Sequence, residues 1–189
     1  MHRIKKGQIG YIQYKRKSMI LFTIFLFAVA LGIYFGAMDA LGTNQNVFTF
    51  LAILLLLPAS RYTVNTIMFF KAKGCSQEVY TAVEEHIGSL TGAYELYMTA
   101  EKKNFALSHL TIAGKNVVAL TEDEKCDTAA GEQHILSLMK TNGFLGYHVK
   151  IFSSLSKYEN RLDQLNRLEG EDAGKGHEKL LSLMLSISL

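Results

Sequence analysis

The 189-residue chain has no tryptophan, one proline and two cysteines. Cys75 and Cys126 form no CxxC pair, so neither a zinc ribbon nor a thioredoxin-type motif is written here, and in a reducing compartment both are expected as free thiols. GxSxG, a Walker-type phosphate loop and HExxH are missing too, which removes the commonest hydrolase, nucleotide and zinc-protease signatures. Charge is absent from Ser18 to Met38, and the connecting stretch LGTNQN at 41–46 carries no Lys or Arg.

The uncharged stretch dominates what is present. SMILFTIFLFAVALGIYFGAMDA (18–40) is long enough for a helix across about 30 Å of hydrocarbon, which takes roughly 20 residues. A second run, 47–70, is interrupted by Pro58 and Arg61 and is expected to cross at about 47–68, bending near Pro58 with Arg61 reaching for headgroups. The first run is too long for a signal-peptide core and its exit end is a poor processing site, so a retained span is expected. Arg3, Lys5, Lys6, Lys15, Arg16 and Lys17 precede it, and Lys71 and Lys73 follow the second run. The positive-inside rule then puts both termini in the cytoplasm of a bacterial inner (plasma) membrane protein with two spans and a short external loop. Tyr11, Tyr14 and Tyr62 suit the interfacial belts. Ala28, Gly32, Gly36 and Ala40 stand four apart on the first span, a small-residue groove fit to receive the second span or a second copy of the chain.

The formal net charge of +3 hides a division. Through residue 74, nine Lys and Arg face one Asp, a net +8; beyond it, eleven face sixteen Asp and Glu, a net −5. Anionic lipid accounts for the first excess. The acidic remainder lacks the clustered cations that phosphate binding needs, which disfavours nucleic acid as a partner.

Four regions follow: a basic N-terminus (1–17), the two spans (18–70), an α/β domain (75–168), and a polar linker with an amphipathic C-terminal segment (169–189). Within the domain, 75–90 has Val79, Val83 and Ile87 at helical spacing. Strands are expected at 93–101, 105–113 and 116–122, the first two joined by KKN and the last two by a turn at Gly114. A helix at 126–143 has Asp127 as its N-cap, a strand occupies 147–152, and a helix at 156–168 offers Ser156 and Glu159 as a capping box, with Tyr158, Leu162, Leu165 and Leu168 on one face. The apolar tail is expected to pack on the domain. The order α-β-β-β-α-β-α gives a small mixed sheet.

That order is the core order of restriction-endonuclease-like nucleases, and residues 74–123 resemble the nuclease-related family called NERD. Its pattern has Gly-Glu early in the first helix, Asp-His before a strand, a glycine turn, and a strand ending in Glu-x-Lys. Here CSQE supplies Glu78, SHLTI puts Ser108 at the aspartate position and keeps His109, and VVALTED puts Thr121 and Asp123 at the glutamate and lysine positions. The resemblance implies the fold but not the chemistry, because that chemistry needs carboxylates for Mg²⁺ and a cation beside the attacking water. Glu122 neighbours the set but alternation on a strand would turn it to the opposite face, and Glu95 or Lys115 would have to substitute. No catalytic residue, cofactor or metal ligand is therefore assigned.

Cys126, Asp127, Glu132 and His134 have no recognised ligand spacing, and His86, His109, His148 and His177 are scattered. The expectation is a membrane-anchored cytoplasmic module that binds a protein partner or itself. A divergent metal-dependent phosphodiesterase and an accessory transporter subunit are the alternatives.

Overall fold

The computed structural model describes residues 4–100, 103–168 and 175–189. Arg3, Lys102 of the KKN turn and the polar linker at 169–174 lie outside them. The chain forms two compact units: residues 13–71, and residues 72–189 together with the N-terminal stretch through Ile12.

The first unit is an antiparallel pair of long helices, α1 (Tyr11–Leu41) and α2 (Val47–Lys71), both long and apolar enough to cross a membrane. α2 stays helical through Pro58 and Arg61. The two helices do not meet on the groove expected from the sequence. Ala28, Gly32, Gly36 and Ala40 are exposed, and a Cβ added at Gly32 or Gly36 would touch nothing within 4 Å. Contact runs instead along residues seven apart: Thr23, Ala30 and Ala37 on α1, and Ala52, Ala59 and Thr66 on α2. The Thr23 and Thr66 hydroxyls lie 3.1 Å apart, and the alanines buried on the two helices stand at seven-residue steps from them: Ala30 and Ala37 on α1, Ala59 and Ala52 on α2. Seven-residue periodicity is the coiled-coil repeat. Phe22 stacks on Tyr62, while Arg16 donates to the Phe69 carbonyl at 3.1 Å and lies over the Phe70 ring.

The second unit is a three-layer α/β/α sandwich. Strands β1 (Thr91–Thr99), β2 (Asn104–Ala113) and β3 (Asn116–Leu120) form an antiparallel meander, and β4 (His148–Phe152) joins β3 in parallel through the crossover helix α4 (Thr128–Thr141). One face packs on α3 (Gln77–His86) and α5 (Leu155–Leu168) through Val79, Val83, Leu120, Tyr158, Leu162 and Leu165. The other packs on α4 and α6 (Lys175–Ile187) through Leu107, Leu110, Ile135, Met139, Leu180 and Met184. The expected element order is therefore found, with α6 added.

Local chemistry sets the boundaries. Ser76 and Asp127 cap α3 and α4 by accepting from the Val79 and Ala130 amides. The capping box expected at Ser156 is not formed: α5 begins at Leu155, which places Ser156 inside the first turn. Leu168 also departs from expectation, since it is 73% exposed where the stripe of α5 runs out. The tail packs as expected, and Leu189 donates its amide to the Tyr97 carbonyl at 2.8 Å.

The basic N-terminus is not a separate arm. The Tyr94 amide donates to the Gly7 carbonyl at 2.8 Å and Lys6 donates to the Ser188 carbonyl at 2.5 Å, so this segment and the tail both cover β1. Covering that edge hides backbone groups that would otherwise pair with another strand.

Candidate functional site

Strand alternation breaks at one place. In β2, Leu107 and Leu110 both enter the α4/α6 core, three residues apart, and in β1 Ala93 and Leu96 do the same. The phase shifts at Ser108 and Glu95, which the register passes over between the Tyr94–His109 and Leu96–Leu107 pairs, and Glu95 has φ +57°. A non-glycine residue in this region is uncommon and costs about 1–2 kcal/mol, so something must hold it there.

The Glu95 carboxylate supplies the reason. Its side chain is 3% exposed, and it accepts the amides of Gly10 at 3.0 Å, Ile12 at 2.8 Å and Cys75 at 3.3 Å. Ile12 lies in the first turn of α1, whose free amides and dipole favour an anion. Cys75 follows α2. One carboxylate thus ties the chain where it leaves the α/β unit to the chain where it returns. Gly74 fits beneath it, since a Cβ there would lie 3.0 Å from Glu95 Oε1.

Glu122 sits on the next amide. It accepts from Ser76 N–H at 3.1 Å and from the Ser108 hydroxyl at 2.5 Å. The expectation that alternation would turn Glu122 away fails because β3 ends at Leu120, and past that point the pleat no longer dictates direction. Burial first, then the Glu122 and Glu95 charges, push the Cys75 thiol up to about 12, which removes it as a nucleophile near neutral pH.

The remaining positions do not join this cluster. Thr121 is buried and donates to the Ala106 carbonyl at 2.6 Å. Asp123 pairs with Lys73 at 2.9 Å, and that bond holds its carboxyl below the usual range. Glu78 is exposed on the first turn of α3. Lys115 lies beside Gly146 at the far end of the β2–β3 hairpin, so it cannot serve as the missing cation.

His109 is fully buried. Its Nδ1 lies 2.8 Å from the Tyr158 hydroxyl and 3.2 Å from that of Thr111, and its ring packs 4.4 Å from that of Tyr94. Burial lowers its pKa to about 3, so the imidazole is neutral. Its Nε2 has no hydrogen-bond partner and faces Gly92, where a Cβ would approach to 2.6 Å. Gly92 is thus required by the histidine.

The other constellations scatter as well. Asp127 pairs with Lys103, Glu132 holds the Ile151 amide and Lys150, and His134 packs beside Phe105. His86 bonds Asp163 at 2.9 Å, His177 lies 3.1 Å from the Gly114 carbonyl, and His148 is exposed. Among the described residues no three His, Cys, Asp or Glu side chains are grouped to hold a metal ion. Both cysteines are free.

Two devices of the structure were not foreseen from the sequence. The Glu95 clamp has no sequence signal beyond a lone acid inside an aromatic strand. The alanine seam had one: pairs of Ala seven apart, 30 and 37, then 52 and 59, in both apolar runs. Comparison with protein families, curated proteins and solved structures finds no match to the chain.

Proposed function

We propose that the chain is a membrane-anchored α/β module that acts by binding a protein partner or a second copy of itself, without catalysis. One observation carries this reading: three of the side chains at the expected catalytic positions, Ser108, Thr121 and Asp123, are spent on the fold. Ser108 donates to Glu122, Thr121 to the Ala106 carbonyl, and Asp123 is paired with Lys73. Glu95, the nearest substitute acid, is buried and already accepts three amides. The meander followed by a parallel crossover supports a restriction-endonuclease-like frame of the NERD kind that has been retained as a scaffold. The charge division between the flanks and the rest of the chain supports an inner-membrane location with both termini cytoplasmic.

The test is affinity recovery of the tagged full-length chain from detergent-solubilised membranes after mild cross-linking. A reproducible stoichiometric partner or a homo-oligomer is expected, and recovery of the lone chain would defeat the proposal. A metal-dependent phosphodiesterase would replace it if the full-length chain cleaved DNA or RNA with Mg²⁺ or Mn²⁺ and Glu122→Gln abolished that cleavage.

A further inference from the structure

A cavity of about 430 Å³ opens between the N-terminal segment, α3 and β1, walled by Ile4, Ile9, Tyr80, Glu84 and Tyr94, with Gln8 at its side. Its volume is within the range of small-molecule sites. Two tyrosine rings form a corner, their centroids 5.2 Å apart and their planes at 58°. Glu84 brings the one charge, and neither Lys, Arg nor His lines the cavity among the described residues. The Tyr94 hydroxyl donates to Glu84 Oε1 at 2.6 Å. Burial and the bond to Glu84 hold the Tyr94 phenol protonated, so its ring presents the ordinary negative face of a neutral aromatic. The carboxylate keeps further acceptor sites for a second charged partner.

The Tyr94 ring is also held in place. It rests on His109, which is itself fixed by Tyr158 and Thr111, and its backbone amide is bound to Gly7. Because His109 is buried and neutral, it sets no positive charge behind the ring. Aromatic faces, a carboxylate and two isoleucines without a competing cation are the chemistry that selects a cation with an apolar shell. We propose that this pocket binds a small alkylammonium ion, with Tyr80 and Tyr94 against its alkyl shell and Glu84 balancing its charge.

The full-length chain in nanodiscs is titrated calorimetrically with tetramethylammonium chloride against a sodium chloride control, and with neopentyl alcohol as the neutral analogue of similar shape. Saturable tetramethylammonium binding is expected, with the alcohol about tenfold weaker or more, as a cation–π preference of about 1–2 kcal/mol implies. Glu84→Gln keeps a hydrogen-bond acceptor for Tyr94 while removing the charge, and weakens the ammonium about threefold or more without changing the alcohol. Tyr80→Leu, on a partly exposed helical position, does the same through the ring, with folding checked by circular dichroism. Absence of a saturable ammonium signal, equal binding of the alcohol, or wild-type affinity in both variants overturns the proposal.

Discussion

Removing the Glu95 carboxylate should loosen two distant segments at once, and the backbone at Glu95 permits an internal control. Glu95→Ala leaves the Gly10, Ile12 and Cys75 amides without their acceptor while keeping an L-residue at φ +57°. Bonds to a charged acceptor contribute about 1.5–3 kcal/mol each, but Gly10 and Cys75 are only partly buried, so water replaces part of their loss. A net cost of about 3 kcal/mol is expected for opening this region, equivalent to roughly 150-fold faster amide exchange where opening is local. Glu95→Gly loses the same bonds but relieves the left-handed backbone, and should recover about 1 kcal/mol relative to alanine. Glu95→Gln keeps one acceptor oxygen and turns an NH₂ toward a donor, so it should fall between wild type and alanine. Hydrogen exchange by mass spectrometry on the full-length chain in micelles reads peptides covering 4–12 and 72–76. Both should accelerate together in Glu95→Ala, less so in Glu95→Gly. Acceleration of one segment alone, or a glycine variant worse than alanine, would refute the clamp.

Three further outcomes follow from the packing. Thr23→Cys with Thr66→Cys should give an intrachain disulfide under mild oxidation, whereas Thr23→Cys with the exposed Ser60→Cys should not; gel mobility distinguishes them. Ala59→Leu should force the helices apart at a cost of about 1–3 kcal/mol and lower that cross-linking yield, while Gly36→Leu on the exposed stripe should leave it unchanged; equal effects would place the seam elsewhere. His109 keeps a folded-state pKa of about 3 against 6.5 for an ordinary imidazole, so the unfolded chain takes up the proton first. Its contribution to stability is whole above pH 6.5 and is lost as pH falls toward 3, by at most about 1.4 kcal/mol per pH unit. His109→Gln should flatten unfolding midpoints between pH 6.5 and 4.5, before most carboxylates titrate, and an unchanged slope would mean that the buried histidine is not the cause.

The elements that local chemistry specifies were legible in the sequence. Asp127 caps α4 because a short acceptor ahead of free amides works wherever it occurs, and Val79 with Val83 marks the inner face of α3 through spacing alone. The order of strands and helices and a small mixed sheet followed from such signals. What could not be read depends on partners far along the chain. The capping box at Ser156 had the right residues, yet α5 starts at Leu155, with the Tyr158 amide donating to the Ser154 carbonyl. The GxxxG stripe looked like the seat of α2, but it is exposed, while Thr23 faces Thr66 and the alanines buried on both helices stand seven apart.

The candidate site shows the same limit in its chemistry. The resemblance expects metal-binding or cationic side chains at Ser108, Thr121 and Asp123, and the structure gives each of the three a separate structural bond. The acids that do approach one another are Glu95 and Glu122, neither of which falls on the expected pattern, and they converge on consecutive amides, Cys75 and Ser76, rather than on an open space. At Glu95 the backbone is left-handed, and the side chains of β1 change face there while the pairing register with β2 is kept. A pattern of residue types assumes regular strands, and it therefore fails at the one point where this sheet is irregular. That irregularity is also where the chain departs toward α1 and returns from α2, so strain that elsewhere marks catalysis is here explained by anchoring.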